Sequence, residues 1–107
     1  PDDRSNAAAM RGSGRTAVFI KDGCVACGQL VQRLQTSGAE FDLYMVGSRQ
    51  DDARIRDWAK RAQIDPARVR AGSITLNHDG GRWLSLGLPG DLPAAVREVN
   101  GQWQRQP

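Results

Sequence analysis

The sequence predicts an α/β fold, a four-stranded mixed sheet flanked by helices in the order β-α-β-α-β-β-α. Three observations carry this. A compact apolar run, Thr16-Ala17-Val18-Phe19-Ile20, leads straight into a cysteine pair. From Cys27 the apolar residues then fall at Leu30, Val31 and Leu34, the i, i+3, i+4, i+7 stripe of an amphipathic helix. Further on, Asp79-Gly80-Gly81 separates two short apolar runs and reads as a hairpin.

The elements follow in order. Thr16 to Ile20 is short and contains β-branched residues, and Lys21-Asp22-Gly23 closes it as a turn, so it reads as a buried strand. The helix that begins at the cysteines ends at Gly38. Phe41, Leu43 and Met45 alternate with Asp42 and Tyr44, the period of a second strand. Ser48, with Asp51 three residues on, marks a helix start. Ile55, Trp58, Ala59 and Ala62 supply that helix's buried stripe. Asp65-Pro66 is an N-cap with proline at the first helical position, opening a short helix or turn that Gly72 closes. Ser73 to Asn77 is the third strand and Arg82 to Leu86 the fourth. Asp91 is expected to cap a last helix with Leu92, Ala95, Val96 and Val99 inward, Gly101 weakening its end and Trp103 packing back.

A chain of 107 residues suffices for one domain. Residues 1–15 are small and polar, with an alanine run and Gly12-Ser13-Gly14, and read as a linker or tail. Residues 16–107 form the domain. The start at Pro1 suggests that the chain begins inside a longer protein. No run approaches the ~18 apolar residues of a membrane helix, so no membrane insertion of this domain is expected, and the first residues lack the apolar stretch of a secretory signal. Fifteen basic and 12 acidic residues give a net charge of +3. Acids alternate with bases in Asp51 to Arg61, which suits ion pairs such as Asp52 with Arg56 and Asp57 with Arg61. A dense basic stripe with interleaved aromatics is missing, so no nucleic-acid partner is expected.

Chemistry concentrates in Cys24-Val25-Ala26-Cys27. One pair three positions apart is a redox dithiol or half a metal site, not a secreted disulfide framework. At a helix N-terminus, the dipole and free backbone N–H groups stabilise a thiolate. Cys24 is the expected exposed nucleophile. Cys27, on the apolar stripe, is the expected resolving thiol. Lys21 favours a thiolate at Cys24 and Asp22 opposes it. Val25 and Ala26 bring neither charge nor imidazole. A structural zinc wants four ligands. With two cysteines and one histidine, neither metal nor other cofactor is expected. His78 reads as a surface turn residue bonding to Asp79, Trp58 as core, and Trp83 as core or a partner surface.

The order of elements, with the cysteine pair at the first strand–helix junction, resembles the thioredoxin fold over roughly Thr16 to Trp103. That resemblance implies thiol–disulfide chemistry. It also implies a cis-proline before the strand that faces the cysteines. The corresponding residues here read as Gly72-Ser73, with Pro66 too far upstream. Ser73, with Gly72 beside it, is therefore the expected substrate-binding residue facing the pair.

A second resemblance rests on Lys21-Asp22-Gly23-Cys24-Val25-Ala26-Cys27, Phe41-Asp42-Leu43-Tyr44-Met45-Val46-Gly47-Ser48, Asp51-Asp52-Ala53-Arg54-Ile55-Arg56, Ile64-Asp65-Pro66-Ala67-Arg68-Val69-Arg70, Ile74-Thr75-Leu76-Asn77-His78-Asp79 and Arg97-Glu98-Val99-Asn100-Gly101-Gln102-Trp103. Together these segments are similar to a bacterial family of integrating conjugative element proteins. The resemblance implies an additional N-terminal region, protein partners in a conjugative transfer apparatus, and a place in the bacterial cell envelope, on the periplasmic side. An oxidising periplasm would favour the disulfide. The leading expectation is a monomeric thiol–disulfide oxidoreductase-like domain. The alternative is a non-catalytic interaction or scaffold module in which the Cys24–Cys27 disulfide is structural.

Overall fold

The computed structural model describes residues 14–106. They form an α/β domain with one five-stranded mixed sheet: β1 (Thr16–Lys21), α1 (Val25–Thr36), β2 (Phe41–Val46), α2 (Asp52–Arg61), α3 (Pro66–Arg70), β3 (Ile74–His78), α4 (Arg82–Leu86), β4 (Ala94–Val99) and β5 (Gln102–Arg105). The strand order is β3-β2-β1-β4-β5. β1, β2 and β3 run parallel, with Thr16 opposite Phe41 and Phe41 opposite Ile74. β4 lies antiparallel on the other side of β1, Phe19 opposite Ala94, and β5 returns antiparallel to β4. The tail expected over 1–15 lies outside the described residues apart from Gly14 and Arg15. Arg15 is anchored: its guanidinium donates to the carbonyls of Gly72, Phe41 and Ser73 and sits 3.1 Å from Asp42.

The two parallel crossovers step the same way along the sheet. Right-handed connections then put α1 and α2 on the same face. Val18, Ile20, Phe41, Leu43, Met45 and Ile74 point to that face and meet Cys27, Val31, Ile55, Trp58 and Ile64 in the main core. Burying each large apolar side chain contributes roughly 1.5–3 kcal/mol. The opposite face carries a smaller core of Ala17, Phe19, Tyr44, Ala94 and Val96, covered by Trp83, Leu86 and Trp103. The Phe19 ring stacks on Tyr44 with centroids 5.1 Å apart and meets Trp83 at 5.3 Å.

The first half of the chain follows its sequence signals, except that the N-cap of α2 is Asp51, three residues after the expected Ser48, which is buried against His78 instead. Asp51 caps α2 by accepting from Ala53 N–H, and Asp65 caps α3 by accepting from Ala67 N–H, with Pro66 at the first turn. Trp58 is core, 5% exposed.

The second half corrects them. The sheet has five strands, not four, because the expected fourth strand is a helix and the expected last helix is a strand. Asp79-Gly80-Gly81 is not a hairpin. The Asp79 carboxylate, 5% exposed, accepts from Gly81 N–H at 3.0 Å and Trp83 N–H at 2.8 Å. That winds Arg82 to Leu86 into α4, with Trp83 and Leu86 inward and Leu84 84% exposed. The true hairpin turn is Asn100-Gly101, both at positive φ (53° and 81°) between β4 and β5. It is a type I′ geometry, which Asn-Gly favours. Ala94 and Val96, two apart, are buried on one face of β4, so the i, i+3, i+4, i+7 spacing in this stretch is coincidental. Trp103 packs from β5 rather than against a helix. The ion pairs expected along α2 are also replaced. Arg61 reaches Asp22, and Asp52 reaches His78.

Two outcomes are expected from this packing. Asp79→Ala leaves two part-buried N–H groups, of Gly81 and Trp83, without their acceptor and lowers stability by about 1 kcal/mol in urea unfolding, while Asp79→Asn loses less. Tyr44, the only tyrosine, has its pKa raised above 10.0 chiefly by burial, with Asp42 and Asp79 adding to the shift and Arg82 and Arg15 opposing it. A raised value favours the neutral phenol in the folded state. The stability it contributes is present below the unfolded value of about 10 and is lost as pH rises through the folded one. The tyrosinate band of the native protein should therefore titrate later than that of the urea-unfolded chain. In Tyr44→Phe the alkaline loss of stability should shrink.

Candidate functional site

The site grows from the end of β1. Lys21 is the last residue of the strand, and Asp22-Gly23 turns the chain, Gly23 at φ +69° where a side chain would be strained. The Asp22 carboxylate accepts from Gly23 N–H at 3.1 Å. Cys24 is the N-cap of α1, and its Sγ accepts from Cys27 N–H at 3.1 Å. The first turn of α1 thus directs a backbone donor at this sulfur, the arrangement that stabilises a thiolate once the pair is reduced.

Cys24 and Cys27 are joined by a disulfide, their Cα atoms 5.3 Å apart. The two sulfurs have unequal surroundings. Cys27 is fully buried in the main core, whereas Cys24 is partly exposed and lines a surface cavity of about 390 Å³ with Gly23, Val25, Trp58, Arg61 and Ala62. Val25 is 78% exposed beside it. The Cys-x-x-Cys pair therefore fits a redox motif, with one sulfur reachable and the other reached only through the first.

The charges around Cys24 differ from the sequence expectation. Asp22 does not act alone against a thiolate. Its Oδ1 is 2.8 Å from Arg61 and its Oδ2 3.8 Å from Arg54. These are exposed pairs that contribute little to stability. They place two guanidinium groups beside the Asp22 carboxylate, where the sequence alone sets only Lys21 against it. Lys21 is exposed and takes part in none of these pairs.

Gly72 and Ser73 do not face the pair. Ser73 O accepts from Phe41 N–H at 3.0 Å, and Phe41 is opposite Thr16, so both residues lie at the start of the parallel strands. Cys24 follows the other end of β1. The antiparallel neighbour of β1 on its free side is β4, and the residue before it is Pro93, with a cis Leu92–Pro93 bond. Continuing the register past Phe19 and Ala94 brings Pro93 alongside Ile20, and Leu92 packs against both cores, the first of which includes Cys24 and Cys27. The expectation failed because it assigned the cysteine-facing strand to β3, having read β4 as helix.

A second polar constellation lies at the same end of the parallel strands. His78 Nδ1 pairs with Ser48 Oγ, and its Nε2 lies 2.7 Å from Asp52 Oδ1. His78 thus bonds to Ser48 and Asp52 rather than to Asp79. The set contains the residue types of a hydrolytic triad, but the Ser48 hydroxyl is buried, at 3% exposure, and does not line the depression that His78 borders. It ties the N-terminus of α2 to the ends of β2 and β3. Among the described residues no cluster of three His, Cys, Asp or Glu side chains could hold a metal ion, and no helix is long and apolar enough to cross a membrane.

Comparison with known proteins returns no match: no family model, no curated protein and no solved structure matches the chain.

Proposed function

We propose that this chain is a thioredoxin-like thiol–disulfide exchange domain, with Cys24 as nucleophile and Cys27 as resolving thiol. The observation that carries the reading is the unequal burial of the two sulfurs. Cys24 caps α1 at the edge of a cavity, and Cys27 lies fully buried one turn deeper.

In the reducing direction the Cys24 thiolate attacks one sulfur of a substrate disulfide. A mixed disulfide forms, and the other substrate sulfur leaves as a thiolate that takes a proton from water. Cys27 then gives up its proton and attacks Cys24 Sγ. The protein disulfide forms and the substrate departs as a dithiol, two electrons having passed to it. The oxidised pair runs the same steps backwards on a substrate dithiol. A second thiol–disulfide partner must then restore the starting state.

The setting proposed for this chemistry is the bacterial cell envelope, on disulfide-bearing components of a conjugative transfer system. The segment resemblance around Cys24, Phe41, Ile64 and Arg97 supports it. Full burial of Cys27 also suits a second reading, a non-catalytic module whose disulfide staples the start of α1.

Trapping separates the two. With Cys27→Ser, the mixed disulfide at Cys24 has no resolving thiol and should accumulate as a covalent adduct with a partner, released by dithiothreitol. Cys24→Ser should form no adduct and should lower transfer frequency in mating assays. Absence of adducts, with wild-type transfer by both variants, would leave the staple reading.

A further inference from the structure

The cavity beside Cys24 continues into a second depression of about 680 Å³ between α1 and the C-terminal end of α2. The two share Val25, Gly28, Arg61 and Ala62. The second depression adds Gln29, Gln32, Arg33 and Gln63, and no carboxylate lines it. Together they make a groove leading from the reachable sulfur to Arg33.

Its construction is specific. Gly28 leaves room in the wall, since a Cβ there would meet nothing within 4 Å. The far side is held in place by α1 itself. Gln32 Nε2 donates to Ala62 O, Gln35 Nε2 donates to Gln63 O, and Gln35 Oε1 accepts from Asp65 N–H at 2.9 Å. Near Cys24 the lining is apolar at Val25, Trp58 and Ala62 and also includes the Asp22 carboxylate, which is paired with Arg61. The rim carries two guanidinium groups. Arg61 is shared with Asp22, while Arg33 is exposed and has no ion-pair partner among the described residues.

We infer that this groove docks an extended acidic segment of the partner polypeptide, next to the cysteine that exchanges with Cys24. The inference rests on the exchange reading for the choice of partner and on charge complementarity for the segment's chemistry. An apolar side chain of the segment sits against Val25 and Ala62. Carboxylates farther along meet Arg61 and Arg33. Opposite charge selects such a segment and repels a basic one.

The test uses the oxidised protein and short peptides in which serine replaces the partner cysteine, flanked by aspartates, asparagines or lysines. Amide shifts in a nitrogen–proton NMR titration are expected at Gly28, Arg33 and Ala62. The aspartate peptide should bind about tenfold more tightly than the lysine peptide, and the difference should shrink with salt. Arg33→Glu should remove the preference. Gly28→Leu, which fills open space and replaces glycine in a helix, should block docking of all three. Equal affinities, or shifts confined to other surfaces, would overturn the inference. A parallel assay follows exchange between the reduced protein and disulfides of the cysteine-containing peptides. Docking without exchange would keep the groove and sink the redox reading. Exchange at equal rates for all three peptides would do the reverse.

Discussion

Everything at the site depends on one covalent and packing constraint, the insertion of Cys27 into the main core one turn after Cys24 leaves β1. β1 lies at the middle of the sheet with parallel and antiparallel neighbours on its two sides. Its inward residues Val18 and Ile20 share a cluster with Cys27 and Val31. Seating Cys27 in this cluster fixes the first turn of α1, and that turn delivers its backbone N–H to Cys24 Sγ. A movement of α1 relative to β1 would change the hydrogen bond, the exposure of Cys24 and the shape of the groove together.

The sheet's two faces divide the work. The face under α1 and α2 holds the larger core, and those two helices supply the walls of the groove. Among the described residues the other face has the five-residue α4 as its helical cover, and it relies on Asp79 to hold the first turn of that helix and on Phe19, Tyr44 and Trp83 to fill the space. Arg82 lies 5.6 Å over the Tyr44 ring and Arg105 5.8 Å over Trp83, so cations extend the aromatic packing where helix is short. Charge near the cysteines is arranged differently. Asp22 is drawn off by Arg61 and Arg54, leaving Arg33 to face solvent at the far end of the groove.

The parallel half of the fold was legible because its signals are long and agree with one another. The stripe through Leu30, Val31 and Leu34, the alternation through Phe41, Leu43 and Met45, and the Asp65-Pro66 cap each specify one structure. The C-terminal half was ambiguous because its segments are short. Ala94 to Val99 satisfies helical and strand spacing at once, and only the sheet partner Ala17 to Phe19 decides between them. Asp79-Gly80-Gly81 reads as a hairpin and Gly101 as the weak end of a helix, whereas the hairpin lies at Asn100-Gly101. Asn100-Gly101 is the stronger hairpin signal, while Asp79 holds the first turn of α4. Reading Gly101 as a helix end hid β4, and with it Pro93 as the residue before the strand beside the cysteines. The Cys24–Cys27 pair was legible from spacing alone. Its pairing of Asp22 with Arg61, 39 positions apart, was not, because it depends on α2 crossing the end of β1.

The most direct test of the central claim is the reduction potential of the Cys24–Cys27 pair, equilibrated against glutathione or dithiothreitol buffers. A domain that exchanges disulfides should lie at roughly −270 to −120 mV, with Cys24 the faster thiol to be alkylated. A value below about −300 mV, with both thiols slow to react, would contradict exchange and identify the disulfide as a structural staple.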